Sequence, residues 1–285
     1  MQGRCPIVAL LLCVAWIGGV GRSEVAWSDS ARGIPVLLYH EIVRTDKEPG
    51  ETVIPFEKFA AQMQYLHDHD YTAISMTDLI NFMQGGEVPE RAVVLTFDDG
   101  WKSALNAVPL LRQYGFKASF WIITEKGIGW DYMEWTDIVA LDRDSLFDVG
   151  CHSATHPWDP EDNIVTWLDG DNPGKSEADV EHELVDSKRT LEARLGRAVP
   201  YFAWPCGWYT DSLIVLAQNA GYSALLTAEE GLNHAGDDVY RIRRTFIDGA
   251  CDFSAFVSAL ETGSYTSCQA SGRVTRGNMP ERVKK

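Results

Sequence analysis

The stretch AVVLTFDDGW, residues 92–101, decides how this chain folds. Four apolar residues and a threonine run into Phe97, as in a strand covered on both faces, and two adjacent carboxylates, Asp98 and Asp99, follow with Gly100. Like charges side by side push one pKa upward. Water in a plain turn or a cation in a working site must compensate. Outward from this point the pattern repeats. GIPVLLYHEIV (33–43), TAISM, KASFWII, LFDVGCHS, VPYFAWP, SALLT and VYRIRRTFI read as strands. Between them PFEKFAAQMQYLHDHDY, TDLINFMQGG with Thr77 as its cap, ALNAVPLLRQYG, MEWTDIVALDRD, EADVEHELVDSKRTLEARLG and DSLIVLAQNAG read as helices. Strands alternating with helices mean parallel strands joined by helical crossovers, in a barrel or a doubly wound sheet. The expected class is α/β. In barrels functional residues gather where strands end. His40, Asp98–Asp99, His152 and the Pro205 segment each follow an apolar strand.

The chain has 285 residues, 45% of them hydrophobic and 23% charged, which suits a globular domain of this size. A formal net charge of −16 argues against nucleic acid as a partner, since that requires a basic face. Residues 1–23 have Arg4, an apolar run from Ile7 to Ile17 and small residues at Gly19-Val20-Gly21, the pattern of a secretory signal peptide. An uncleaved anchor is the alternative. The expectation is an exported protein, periplasmic or extracellular, with no membrane span in the mature chain. Its folded part covers 24–270, and 271–285 form a loose basic tail. Export permits disulfides. Cys251 with Cys268 is the first pairing to expect, with Cys151 and Cys206 as buried thiols.

His152 and His156 in VGCHSATHPW are four apart, so on a helical turn both imidazoles would face one way and could share a cation. YFAWPCGWY is a strand ending at Pro205-Cys206-Gly207 among aromatics. Together these resemble the polysaccharide deacetylase family with the NodB homology domain (carbohydrate esterase family 4). TFDDG matches its first motif letter for letter, HSATH its second, and AWPCG stands where Arg-x-Pro-aromatic-Gly is expected. GFKASFWI, MEWTDI and AGYSALLTAEEGLN are similar to their surroundings in the family, and the resemblance covers roughly 34 to 260. Tyr39-His40 is similar to the exported poly-N-acetylglucosamine deacetylases.

The resemblance implies a NodB-like fold, a single-domain distorted (β/α) barrel of parallel strands with outer helices, and a hydrolase of carbon–nitrogen bonds other than peptide bonds, acting on linear amides. Asp99, His152 and His156 would hold a divalent metal, zinc first, with cobalt or nickel as alternatives. Asp98 would be the general base toward metal-activated water, and the backbone N–H of Cys206 would meet the developing oxyanion. The family's third-motif arginine, which orients the base, is replaced by Ala203; Arg244 in RIRRTFID is the candidate substitute. The family's late Leu-x-His histidine has no clear counterpart. Leu232 and His234 fit the letters but precede the last strand, so His40 is the better candidate for a catalytic histidine. Trp208, Trp158 and Tyr209 are the candidates for stacking on sugar faces. The partner implied is an acetylated glycan, deacetylated at N-acetylglucosamine units. An O-acetyl xylan-type esterase and a catalytically inactive glycan-binding protein remain alternatives.

Overall fold

The computed structural model describes residues 33–125 and 131–264. The expected leader and tail, Trp130 and Cys268 lie outside the described residues. In chain order the elements are β1 (Val36–Tyr39), β2 (Glu41–Val43), β3 (Val53–Pro55), α1 (Phe56–Asp68), β4 (Thr72–Ala73), α2 (Met76–Met83), β5 (Ala92–Phe97), α3 (Val108–Tyr114), β6 (Ala118–Ile122) and α4 (Trp135–Asp142). There follow β7 (Phe147–Cys151), α5 (Ile164–Leu168), α6 (Glu177–Glu181), α7 (Ser187–Leu195), β8 (Tyr201–Ala203), α8 (Asp211–Asn219), β9 (Ala224–Leu226), β10 (Thr245–Phe246) and α9 (Phe253–Thr262).

The main sheet runs β10-β1-β5-β6-β7-β8-β9, with β4 paired to the start of β5, and every pair is parallel. Leu226 in β9 bridges Ile242, while Thr245 and Phe246 pair with Leu37 and Leu38 of β1. The segment 242–246 therefore reaches both sheet edges, and the parallel sheet curls into a half-barrel, in keeping with the distorted (β/α) barrel expected from the resemblance. It also corrects the reading of VYRIRRTFI as one strand. Val239–Arg241 form a 3₁₀ turn, and the ladder changes partner mid-segment, leaving only Thr245–Phe246 as strand. Two local expectations also change. The cap of α2 is Ser75, not Thr77, because Ser75 and Asp78 form a reciprocal capping box. The first turns of the ALNAVP helix are 3₁₀ over Lys102–Ala107, before Pro109 enters the α-helix at its start.

The inner face is aromatic beneath the site. Phe97 stacks between Tyr39 and Phe120, with ring centroids 5.4 and 4.9 Å away, and all three are at most 1% exposed. Burying each such ring contributes about 1.5–3 kcal/mol. On another part of the sheet Gly150 pairs with Trp121, and a Cβ built on Gly150 would lie 2.1 Å from the indole. Gly150→Ala is therefore expected to lower the unfolding free energy by about 1–3 kcal/mol through overpacking. Urea titration followed by circular dichroism checks this; an unchanged midpoint would mean the indole is not seated there.

Cys251 is disulfide-bonded, whereas Cys151 and Cys206 are thiols. Among the described residues no helix is long and apolar enough to cross a membrane.

Candidate metal centre

Strand register builds the site. The last residues of β1 and β5, Tyr39 and Phe97, are paired, and the Asp98 amide donates to the Tyr39 carbonyl at 2.9 Å. His40 and Asp98 thus leave the sheet side by side. β7 ends at Cys151, and His152 follows with its amide on the Ile122 carbonyl at 2.9 Å. β8 ends at Ala203, just before the Pro205–Gly207 turn. These strand ends surround a cavity of about 370 Å³ whose lining includes His40, Asp98, Asp99, His152, His156, Cys206 and Arg244.

The backbone is strained where the lining residues gather. Asp99, Ser153, His156 and Cys206 have φ of 70°, 68°, 57° and 54°, and among the described residues the one other non-glycine with positive φ is Asp70. Such strain is held by surrounding structure and clusters at functional sites. At Asp99-Gly100 two left-handed residues follow one another, the second at φ 75°, which explains the glycine of TFDDG. The same loops correct one expectation: His152 and His156 are not on a helix. Left-handed Ser153 and His156 turn the chain instead, and the imidazoles still meet, with ring centroids 4.9 Å apart.

Asp98 is 3% exposed and held by Arg244, Nη1 to Oδ1 at 2.7 Å and Nη2 to Oδ2 at 2.9 Å. Arg244 is itself 1% exposed, and its Nε donates to the Thr227 carbonyl at 2.7 Å. Burial pushes the Asp98 carboxyl up, but the Arg244 guanidinium and His152 outweigh it and hold the pKa below the usual carboxylate value.

The acid next door has a different environment. One oxygen of Asp99, Oδ2, accepts from the Trp101 indole N–H at 2.9 Å. The other, Oδ1, is buried without a hydrogen-bond partner, yet lies 3.3 Å from His152 Nε2 and 3.5 Å from His156 Nε2. Donor atoms about 2.0–2.2 Å from a tetrahedral ion lie about 3.3–3.6 Å from one another. The orphaned oxygen and the two imidazoles therefore fit a divalent cation, and all three donor atoms lie within 4.8 Å of one another. His152 Nδ1 is 2.8 Å from the Ala203 carbonyl, so it carries the proton and leaves Nε2 for the ion. Burial opposes charge on His152, but Asp98 and Asp99 outweigh it and raise its pKa. Burial, followed by His152, lowers His156 to about 4, so its imidazole is neutral at neutral pH. For Asp99, burial pushes upward, but the facing imidazoles of His152, His40 and His156 outweigh it and hold it well below the carboxylate range.

The other candidates divide. His40 is 8% exposed, its Nε2 is 3.9 Å from Asp99 Oδ2, and burial lowers its pKa. Cys206 and Trp208 line the cavity, and Trp158 stands at its rim, 69% exposed. Tyr209 does not line it, which corrects its reading as a sugar platform. It is 5% exposed, stacks on Trp204 at 6.1 Å and donates its hydroxyl to Glu229 at 2.9 Å. His234 points elsewhere, 3.6 Å from Asp237. No motif marked three residues whose atoms meet this region: Ala203 through its carbonyl on His152, Trp101 through its indole on Asp99, and Glu183, inside a helix remote in sequence, through its carboxylate on the Ala154 and Thr155 amides. For Glu183 the signal available was an acid on the apolar face of EADVEHELVD.

Residues 85–225 match the family model described as polysaccharide deacetylase. YxkH of Bacillus subtilis is 25% identical over 242 residues, 83% of this chain and 80% of that protein. The poly-beta-1,6-N-acetyl-D-glucosamine N-deacetylase of Staphylococcus epidermidis is 22% identical over 219 residues, 75% of this chain and 74% of that one. Among solved structures, IcaB from Ammonifex degensii is similar with a TM-score of 0.69 at 24% identity, covering 80% of this chain and 95% of that one. The de-N-acetylase from Aggregatibacter actinomycetemcomitans gives 0.69 at 20% identity, covering 80% and 100%. These two structural likenesses carry the fold.

Proposed function

We propose, from the premise that this chain belongs to the polysaccharide deacetylase family, that it hydrolyses N-acetyl groups of N-acetylglucosamine units in an exported polysaccharide, using a divalent ion held by Asp99, His152 and His156. The observation that carries this reading is one cavity holding a three-donor set with an orphaned carboxylate oxygen, next to a second carboxylate clamped by Arg244. Three protein ligands leave a position open, as catalytic rather than structural sites do. When bound, the ion supplies Lewis acidity, lowering the pKa of water and polarising the acetyl carbonyl. Zinc suits the two nitrogen and one oxygen donors, and cobalt or nickel would also fit.

The chain's own groups supply the remaining steps. Asp98, kept ionised by Arg244, takes a proton from the attacking water. Water oxygen bonds to the acetyl carbon, and the backbone N–H of Cys206 is the candidate donor to the oxyanion that forms there. The carbon–nitrogen bond then breaks, the nitrogen leaves as an amine after gaining a proton, and acetate is the other product. His40, in the cavity lining with its Nε2 3.9 Å from Asp99, is the candidate to pass that proton. Trp158 and Trp208 offer flat faces to sugar rings. Residues 24–270 would form the catalytic part, preceded by an export signal over 1–23 and followed by a tail over 271–285. The staphylococcal relative supports a β-1,6-linked N-acetylglucosamine polymer as the first substrate to test.

The test is acetate release by the purified mature chain from poly-β-1,6-N-acetylglucosamine, chitin oligomers and acetylated xylan. Release from either N-acetylglucosamine substrate is expected. Release from xylan alone would replace this reading with an O-acetyl esterase, and sugar binding without any release would make it a binding protein.

A further inference from the structure

The loop that carries both imidazoles is left-handed at Ser153 and at His156, and its Ser153 and Ala154 carbonyls accept from the Thr124 and Glu125 amides at 3.2 and 2.8 Å. Its own amides at Ala154 and Thr155 are held by a carboxylate from the long helical segment that follows. Glu183 is 1% exposed, while its neighbours Glu181 and Asp186 are exposed. Its Oε2 accepts the backbone N–H groups of both Ala154 and Thr155 at 2.9 Å, and its Oε1 accepts the Thr155 hydroxyl at 2.6 Å. All three donors belong to the two residues lying between left-handed Ser153 and His156. The helical segment is not regular here: between α6 and α7 the residues His182–Asp186 form a π turn. A π turn inserts an extra residue and re-aims side chains, and such bulges recur at functional sites. On the other side of Glu183, Ser187 joins this segment to β7, where its hydroxyl accepts from Cys151 Sγ at 3.2 Å.

We propose that Glu183 is a positioning residue for the metal centre: its buried carboxylate locks the Ser153–His156 loop so that His152 and His156 converge on Asp99. The proposal rests on the reading of those three residues as ion ligands. A carboxylate that grips two successive backbone amides fixes the peptide planes between them, and charge-assisted bonds of this kind are roughly twice as strong as neutral ones. Partners that orient metal ligands affect affinity by about 10–100-fold when removed.

The test compares the full mature chain with Glu183→Ala, Glu183→Gln and Thr155→Val, using two readouts. The first is zinc affinity by competition with a chromogenic chelator. The second is hydrogen exchange of the Ala154 and Thr155 amides without metal. Glu183→Ala is expected to weaken zinc by about 10–100-fold and to lose protection of both amides. Glu183→Gln, which keeps one acceptor oxygen, should recover most of both. Thr155→Val, which removes only the hydroxyl bond, gives a milder form of the same defect should the alanine variant fold poorly. Zinc affinity within about twofold of wild type in Glu183→Ala and Thr155→Val, with both amides still protected, overturns the proposal. Absence of zinc binding by the wild type would sink the ligand reading instead; the exchange readout would still decide whether Glu183 holds the loop.

Discussion

Arg244→Met is expected to destabilise the fold by about 3–5 kcal/mol, because it strips the cation from a buried carboxylate. Asp98 and Arg244 are 3% and 1% exposed, and the clamp is bidentate, so neither charge has water to fall back on. The double variant Asp98→Asn/Arg244→Met should be more stable than Arg244→Met alone, since the stranded charge is gone. The pH dependence has a definite sign. The folded-state pKa of Asp98 lies below its unfolded value, with burial opposing and Arg244 prevailing. The unfolded chain therefore binds the proton first. The pair's contribution is fully present above the ordinary carboxylate pKa and is lost as pH falls through the lowered one. The gap between wild type and Arg244→Met should accordingly narrow on acidification. Urea unfolding at several pH values checks all of this. A loss below about 1 kcal/mol at neutral pH, the range of an exposed pair, would mean that the clamp is not the buried pair described.

Asp98→Asn is expected to reduce kcat by about 10²–10⁴-fold, the usual contribution of a positioned general base. Zinc affinity should change far less, because Asp98 lies outside the donor set of Asp99, His152 and His156. Loss of rate with retained metal separates the base from the ligands. Steady-state acetate release on zinc-loaded protein, with zinc content measured on the same sample, provides the check. An unchanged kcat would remove Asp98 from the chemistry and favour a protein that binds glycan without cleaving it.

Much of the candidate site was legible because the three residues that could hold an ion lie just beyond strand ends within short motifs. AVVLTFDDG announces a buried strand meeting two carboxylates, and HSATH supplies the imidazoles. Parallel register then brings their ends to one rim. The parts that were hard to read depend on contacts distant in sequence or on backbone atoms. Ala203 looked like a loss, since its side chain cannot orient a base; its carbonyl sets the His152 tautomer, and Arg244 reaches Asp98 across 146 positions. Arg244 was singled out in RIRRTFID as the substitute for the missing third-motif arginine, although most of the strand expected around it is a turn and a crossing segment. Tyr209 was misread because an aromatic beside the third motif looks the same in sequence whether it faces the cavity or Trp204. The four-residue spacing of His152 and His156 suggested a helical turn, whereas left-handed residues bring the rings together.

The central claim is that Asp99, His152 and His156 together hold one divalent ion. Its most direct test is the zinc stoichiometry of metal-stripped, reloaded protein, compared among wild type, Asp98→Asn, Asp99→Ala and His152→Ala. The expected result is one ion per chain in wild type and in Asp98→Asn, with none retained by Asp99→Ala or His152→Ala once all four are shown to be folded. Equal zinc retention by Asp99→Ala and wild type would contradict the account.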